Sequence, residues 1–166
     1  QGKNRAPHDH NRDYNEKPLY PEVAALMQLG ASMSNRVAAA FDLHCPYISG
    51  EWNDRVYMVG STSPALAEKQ RAFAKTWAVT QNGSIRFREQ DVLAYGTSWN
   101  TSNNYRQGRS ASAWARDTFP AAKLVTTIEI PYADALGVEV NADSARALGR
   151  DLALSLSRFL DAAAKP

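Results

Sequence analysis

Three short segments carry side chains that could grip a carboxylate, hold a metal ion or take up a proton. In chain order they are Asp9-His10-Asn11-Arg12-Asp13-Tyr14, Asp42-Leu43-His44-Cys45-Pro46 and Thr127-Ile128-Glu129-Ile130. Asn11 and Arg12 set an amide beside a guanidinium, whose planar fork can grip both oxygens of a carboxylate. On their own, two such residues in a polar loop also suit an ordinary solvated arginine. His44 stands where an apolar run meets a proline turn. Strand ends are where α/β folds place their sites, and a neutral imidazole binds zinc. A lone histidine serves equally well as a hydrogen-bonded structural residue. Glu129 says more. Strand alternation puts Val125, Thr127 and Glu129 on one face, and a carboxylate near the end of an apolar strand must be paired, metal-linked or wet. Burial would raise its pKa, which suits a general base near neutrality. The alternative is an edge strand whose polar face meets solvent. His8 and His10 flank Asp9, but a His-x-His pair in a flexible loop is a weak metal signal. Cys45 is followed by proline, with no glycine-rich turn around it, and reads as a buried small residue instead of a nucleophile.

These residues need elements to hold them. Residues 1–21 are polar and rich in Gly and Pro, and predict an exposed loop. A helix follows from Pro21-Glu22, with proline and an acid in its first turn. Val37 to Leu43 predicts a buried strand ending at His44-Cys45-Pro46, and Val56 to Val59 a second strand. Ser63 caps a helix that opens with Pro64 and runs to Trp77. Asn82-Gly83 marks a turn, and Gln90 to Gly108 reads as a polar loop with Tyr95, Trp99 and Tyr105 interleaved. Leu124 to Ile130 predicts a strand stopped by Pro131, and Asn141 caps a long amphipathic last helix. Helices alternating with short buried strands, with no repeats and no internal boundary, predict a three-layer α/β/α domain with a mixed sheet.

Composition narrows the classes. The chain has 166 residues, 44% hydrophobic and 22% charged, which suits one globular domain with a sizeable core. A net charge of +2, without a basic run, predicts no nucleic-acid partner. No apolar stretch is long enough to span a bilayer, so no membrane partner is expected. The single cysteine excludes an internal disulfide.

Taken together, the segments resemble the later part of the M14-type zinc metallocarboxypeptidases. In that family Asp-x-Asn-Arg-x-aromatic is followed by a helix beginning Pro-Glu, as Asp9 to Tyr14 is followed here by Pro21-Glu22. A histidine ending a central strand, a tyrosine nine residues before a tryptophan, and a glutamate ending a later strand match His44, Tyr105 with Trp114, and Glu129. The resemblance covers nearly the whole of residues 1–166, as the C-terminal portion of a catalytic domain. It implies that Asn11 and Arg12 hold the substrate's C-terminal carboxylate, and that Asp9 orients a zinc-bound histidine. His44 would bind zinc, Glu129 would activate a zinc-bound water, and Tyr105 would close over the substrate. Ser112, two residues before Trp114, would stand where side-chain preference is tuned. His10 falls at the motif's variable position, which argues against it as a ligand. The implied substrate is a peptide with a free C-terminal carboxylate.

One departure is large. No His-x-x-Glu pair occurs in the sequence, so two of the family's three zinc ligands are missing. The expectation is therefore an incomplete enzyme: this chain alone binds no zinc, has no peptidase activity, and associates with a missing N-terminal fragment or with itself. Two rivals stand beside it. One is a non-catalytic module that binds carboxylates or peptides; the other is a zinc-dependent deacylase of a non-peptide amide.

Overall fold

The computed structural model describes residues 5–163. It is a mixed α/β fold with four helices and a four-stranded mixed sheet. In chain order the elements are α1 (Pro21–Ser32), β1 (Ala39–His44), β2 (Val56–Val59), α2 (Pro64–Thr80), β3 (Phe87–Leu93), α3 (Ala111–Thr118), β4 (Leu124–Glu129) and α4 (Ala142–Ala163). A two-stranded ribbon, β5 (Asp134–Ala135) and β6 (Val138–Glu139), precedes α4. The sheet order is β1-β4-β2-β3. β2 pairs antiparallel with β4 and parallel with β3. The Lys123 amide donates to the Ala38 carbonyl at one end of β4, and the Ile130 amide donates to the His44 carbonyl at the other. That order makes β1 and β4 parallel.

By contacts the chain divides into two compact units, each built from two stretches. The first comprises Gln1–Ala40 and Gly96–Val125, the second Phe41–Tyr95 and Thr126–Pro166. In the first unit Tyr14, Tyr20, Val23, Trp114, Ala115, Phe119, Ala122 and Val125 form one apolar core. Residues 11–14 are thus part of a packed structure, and the expected exposed loop is corrected there: Arg12, Asp13, Tyr14 and Tyr20 are all buried. The physical reason is that the Tyr14 and Tyr20 rings join the core with Val23 and Trp114, while Arg12 and Asp13 are held beside it by hydrogen bonds. Gly30 of α1 sits against the Trp114 ring so closely that a Cβ would collide with it.

The second unit holds β2, β3, α2 and α4 around Trp77, Phe73, Phe87 and Phe159. Trp77 stacks on Phe87, with centroids 4.3 Å apart and rings 4° from parallel. Gln70 is buried at the centre of this unit. Its amide donates to the Val59 carbonyl and Thr126 Oγ1, and its Oε1 accepts from the Ser61 amide. A buried amide so satisfied fixes α2 to the sheet.

Several local expectations match. Ser63 Oγ accepts from the Leu66 amide at the start of α2, and Asn141 Oδ1 accepts from the Asp143 and Ser144 amides at the start of α4. Others change. β1 is half-buried, not buried, with Leu43 58% exposed, because it lies at the sheet's edge. Residues 87–93 form the other edge strand, where a loop was expected from Gln90. Their polar sequence hid it: Glu89 and Gln90 face outward, and Asp91 is buried against Arg88 at 2.6 Å.

Candidate functional site

In the first unit the Asn11-Arg12 segment forms a short 3₁₀ turn, His10–Arg12, braced by the stretch that leads into α3. Asn11 Oδ1 accepts from the Ala111 amide at 2.8 Å. Tyr14 N donates to the Arg109 carbonyl, and Asp13 and Arg109 form a β-bridge. Gly108, at φ +152°, lies so close to the Arg12 carbonyl that no side chain could be accommodated.

Arg12 is only 8% exposed. Its Nε and Nη2 donate to the Asn104 carbonyl at 3.2 and 3.0 Å, and its Nη1 donates to the Asn11 carbonyl at 2.8 Å. A guanidinium has five N–H donors. These three bonds therefore leave one N–H on each terminal nitrogen. Among the described residues Arg12 forms no ion pair. Tyr105 lies beneath it, ring centroid 5.5 Å from the guanidinium carbon, and the Tyr105 hydroxyl donates to Asn100 Oδ1 at 2.9 Å. Ser112, on α3, stands 3.3 Å from the Ser110 hydroxyl, and Ser110 caps that helix by accepting from the Ala113 amide. Asp9 accepts the Arg12 amide through its backbone carbonyl, and its buried Oδ1 has no hydrogen-bond partner among the described residues.

The two remaining histidines of this unit are both paired with carboxylates. His8 Nε2 contacts Asp13 Oδ1 at 2.7 Å, and His10 Nε2 contacts Glu22 Oε1 at 2.5 Å while its ring stacks on Tyr20. Burial acts to raise the Asp13 pKa. The hydrogen bonds from His8 and from the Leu19 and Tyr20 amides, with the charge of His8, outweigh it and hold the carboxyl below its ordinary value.

In the second unit His44 is the last residue of β1 and Glu129 the last of β4. Because these strands are parallel neighbours, both residues stand at the same end of the sheet, the carboxyl end of β1 and β4, joined by the Ile130 amide donating to the His44 carbonyl at 2.8 Å. All six residues of β4 are buried, so Glu129, 2% exposed, is not on a solvated edge. Asp42, two residues before His44, accepts from Thr127 Oγ1 at 3.2 Å and lies 3.6 Å from His44 Nδ1. Sequence reasoning gave Asp42 no role of its own, though period-two alternation sets it beside His44. Cys45 is exposed, which corrects the expectation of a buried residue: the chain has left the sheet edge before reaching it. Its thiol pKa is raised, first by partial desolvation and then by the charge of Glu129.

Among the described residues no three His, Cys, Asp or Glu side chains gather to hold a metal ion. The resemblance gives the part of a metal ligand to His44 alone, and one side chain does not make a zinc site by itself. Among the same residues no helix is long and apolar enough to cross a membrane. The chain matches no protein-family model, and no curated protein is significantly similar to it.

Proposed function

We propose that this chain recognises a free carboxylate at Arg12 and is the C-terminal portion of a zinc carboxypeptidase with a three-layer α/β/α fold. One observation supports the reading above the others: a buried guanidinium with two unused N–H donors and no ion pair among the described residues. Buried charges are normally paired, because an isolated one costs several kcal/mol. An incoming carboxylate supplies both the missing charge and two acceptor oxygens. Glu129 suits the chemical step. A buried carboxylate at a strand's carboxyl end can take a proton from an attacking water and pass it to the leaving amine. His44, beside it, would contribute one ligand to the metal of the complete enzyme.

The test is hydrolysis by the full-length protein of matched peptides with free and amidated C-termini. Strong preference for the free acid, lost in Arg12→Ala, is expected. Equal cleavage of both would favour a deacylase and overturn the proposal.

The incomplete ligand set gives a second reading some weight: a carboxylate- or peptide-binding module without catalysis. A His-x-x-Glu pair elsewhere in the full-length protein would favour the enzyme over this module, and a zinc titration of the 166-residue chain tests the ligand set itself. The chain alone is expected to take up no stoichiometric zinc, and one tightly held ion would show that His8, His10 or another group completes a site.

A further inference from the structure

Asn104 is bonded to Arg12 through its backbone, and its side chain carries a second, independent irregularity. Its Nδ2 is buried and has no hydrogen-bond partner among the described residues. Buried donors are almost always satisfied, and leaving one unpaired forfeits its hydration without return. The residue that contributes this unpaired donor is the same one whose carbonyl takes two of the three Arg12 hydrogen bonds. A donor without an acceptor therefore accompanies a buried cation without an anion. One ligand with several acceptor oxygens and a negative charge satisfies both.

We infer that Asn104 is a specificity residue for the carboxylate bound at Arg12, its side-chain amide donating to that carboxylate. This inference rests on the carboxylate reading of Arg12. The arrangement is well suited to the task. The carbonyl of Asn104 fixes one edge of the guanidinium, so the remaining N–H groups point where the backbone dictates. Tyr105, the next residue, packs under Arg12 and is held by its hydroxyl to the fully buried Asn100. The 3₁₀ turn Ser102–Tyr105 thus brings one ring and one carbonyl to the same guanidinium, with the Asn104 side chain carried on the residue that supplies the carbonyl. An amide-capped ligand would bring its own N–H toward Asn104 Nδ2, donor against donor, and would also lack the charge that Arg12 needs. Selection for the free acid then has two separable sources, charge at Arg12 and hydrogen-bond polarity at Asn104.

The experiment uses the 166-residue chain with N-acetylglycine and N-acetylglycinamide as probes, followed by ¹H–¹⁵N NMR. N-acetylglycine is expected to bind and to shift the Asn104 side-chain amide resonances, whereas the glycinamide leaves them in place. Asn104→Leu removes the donor but keeps the backbone carbonyl that orients Arg12. It should weaken N-acetylglycine about tenfold and leave thermal unfolding unchanged or higher, since an unsatisfied buried group has been removed. Asn104→Gln, which restores an amide, should recover part of the loss. If Arg12→Ala abolishes binding while Asn104→Leu binds like the wild type, or if the Asn104 resonances ignore the acid, the inference is wrong and the Arg12 reading stands. If the wild-type chain does not prefer the acid, both fall.

Discussion

The side-chain oxygen of Asn11 accepts a hydrogen bond from the backbone N–H of Ala111, one hundred residues further along the chain. The first helical N–H groups have no partner within their helix, so this bond acts as a cap supplied from a distance. It gives Asn11 a structural task beside the one proposed for it in ligand binding. Asn11→Ala should therefore destabilise the chain by about 0.5–2 kcal/mol, the usual range for a lost cap. Asn11→Asp, which keeps the acceptor, should cost less. Urea unfolding of the three proteins decides it, and equal losses in Ala and Asp would remove the capping role.

Gly108→Ala should be worse. A Cβ there would run into the Arg12 carbonyl, which is backbone and cannot swing away, and φ +152° is itself unfavourable for a side chain. A loss of roughly 3 kcal/mol or more is expected, among the large effects of single substitutions. Because the clash is with Arg12 itself, carboxylate binding should fall further than stability alone accounts for. A stable Gly108→Ala protein with normal binding would contradict the close approach of these two segments.

Asp13 predicts a pH dependence with a definite sign. Its carboxyl is held below the ordinary value despite burial, by His8 and two backbone amides. A group lowered on folding contributes stability that is fully present above its unfolded pKa and is lost as pH falls through its folded pKa. Stability should thus decline from about pH 4 downward. Asp13→Asn should be less stable at pH 7 and should show a shallower decline into acid. Denaturant midpoints measured from pH 7 to pH 2.5 test this, and parallel curves for the two proteins would show that other carboxyls carry the acid sensitivity.

For the complete enzyme proposed above, Glu129→Gln should lower kcat by about 10²-fold to 10⁴-fold, the usual contribution of a general base. Metal content and thermal stability should stay near wild type, because the substitution removes a proton acceptor and not a ligand. Near-normal turnover in the Gln variant would end the general-base role.

How much of this was legible in the sequence differs from element to element. The helices that announce themselves with caps, α2 at Ser63-Pro64 and α4 at Asn141, came out where their first residues said they would. β4 was legible because an apolar run between a lysine and a proline admits few alternatives. β3 was not, since its residues Arg88 to Asp91 are charged or polar and balance one another only in three dimensions. α3 escaped notice in part for a similar reason: beside the local Ser110 cap, which the sequence did offer, its first N–H is satisfied by Asn11, far away in sequence. At the candidate site, residue types suggested a carboxylate grip at Arg12. That its fork would be fixed by the Asn104 carbonyl could not be read, because a backbone oxygen has no letter in the sequence. Asp42 could have been found, since it alternates with His44 on one strand face.

The βαβ arrangement of β2, α2 and β3 has a consequence for the order in which the second unit assembles. These three elements occupy one unbroken stretch, Val56 to Leu93, and β2 pairs with β3 directly. Part of their apolar packing, Trp77 on Phe87 foremost, lies wholly within that stretch. β4, the other partner of β2, enters only at Leu124, and α4 later still. Contacts between residues close in sequence cost less loop-closure entropy and form sooner. During synthesis, then, the stretch from β2 to β3 can collapse first and expose the far edge of β2 as a template. β4 would zip onto that edge afterwards, so Glu129 reaches its buried position only when the last half of the sheet is laid down. Pulse-labelled hydrogen exchange should record the amides of α2 as protected before those of β4.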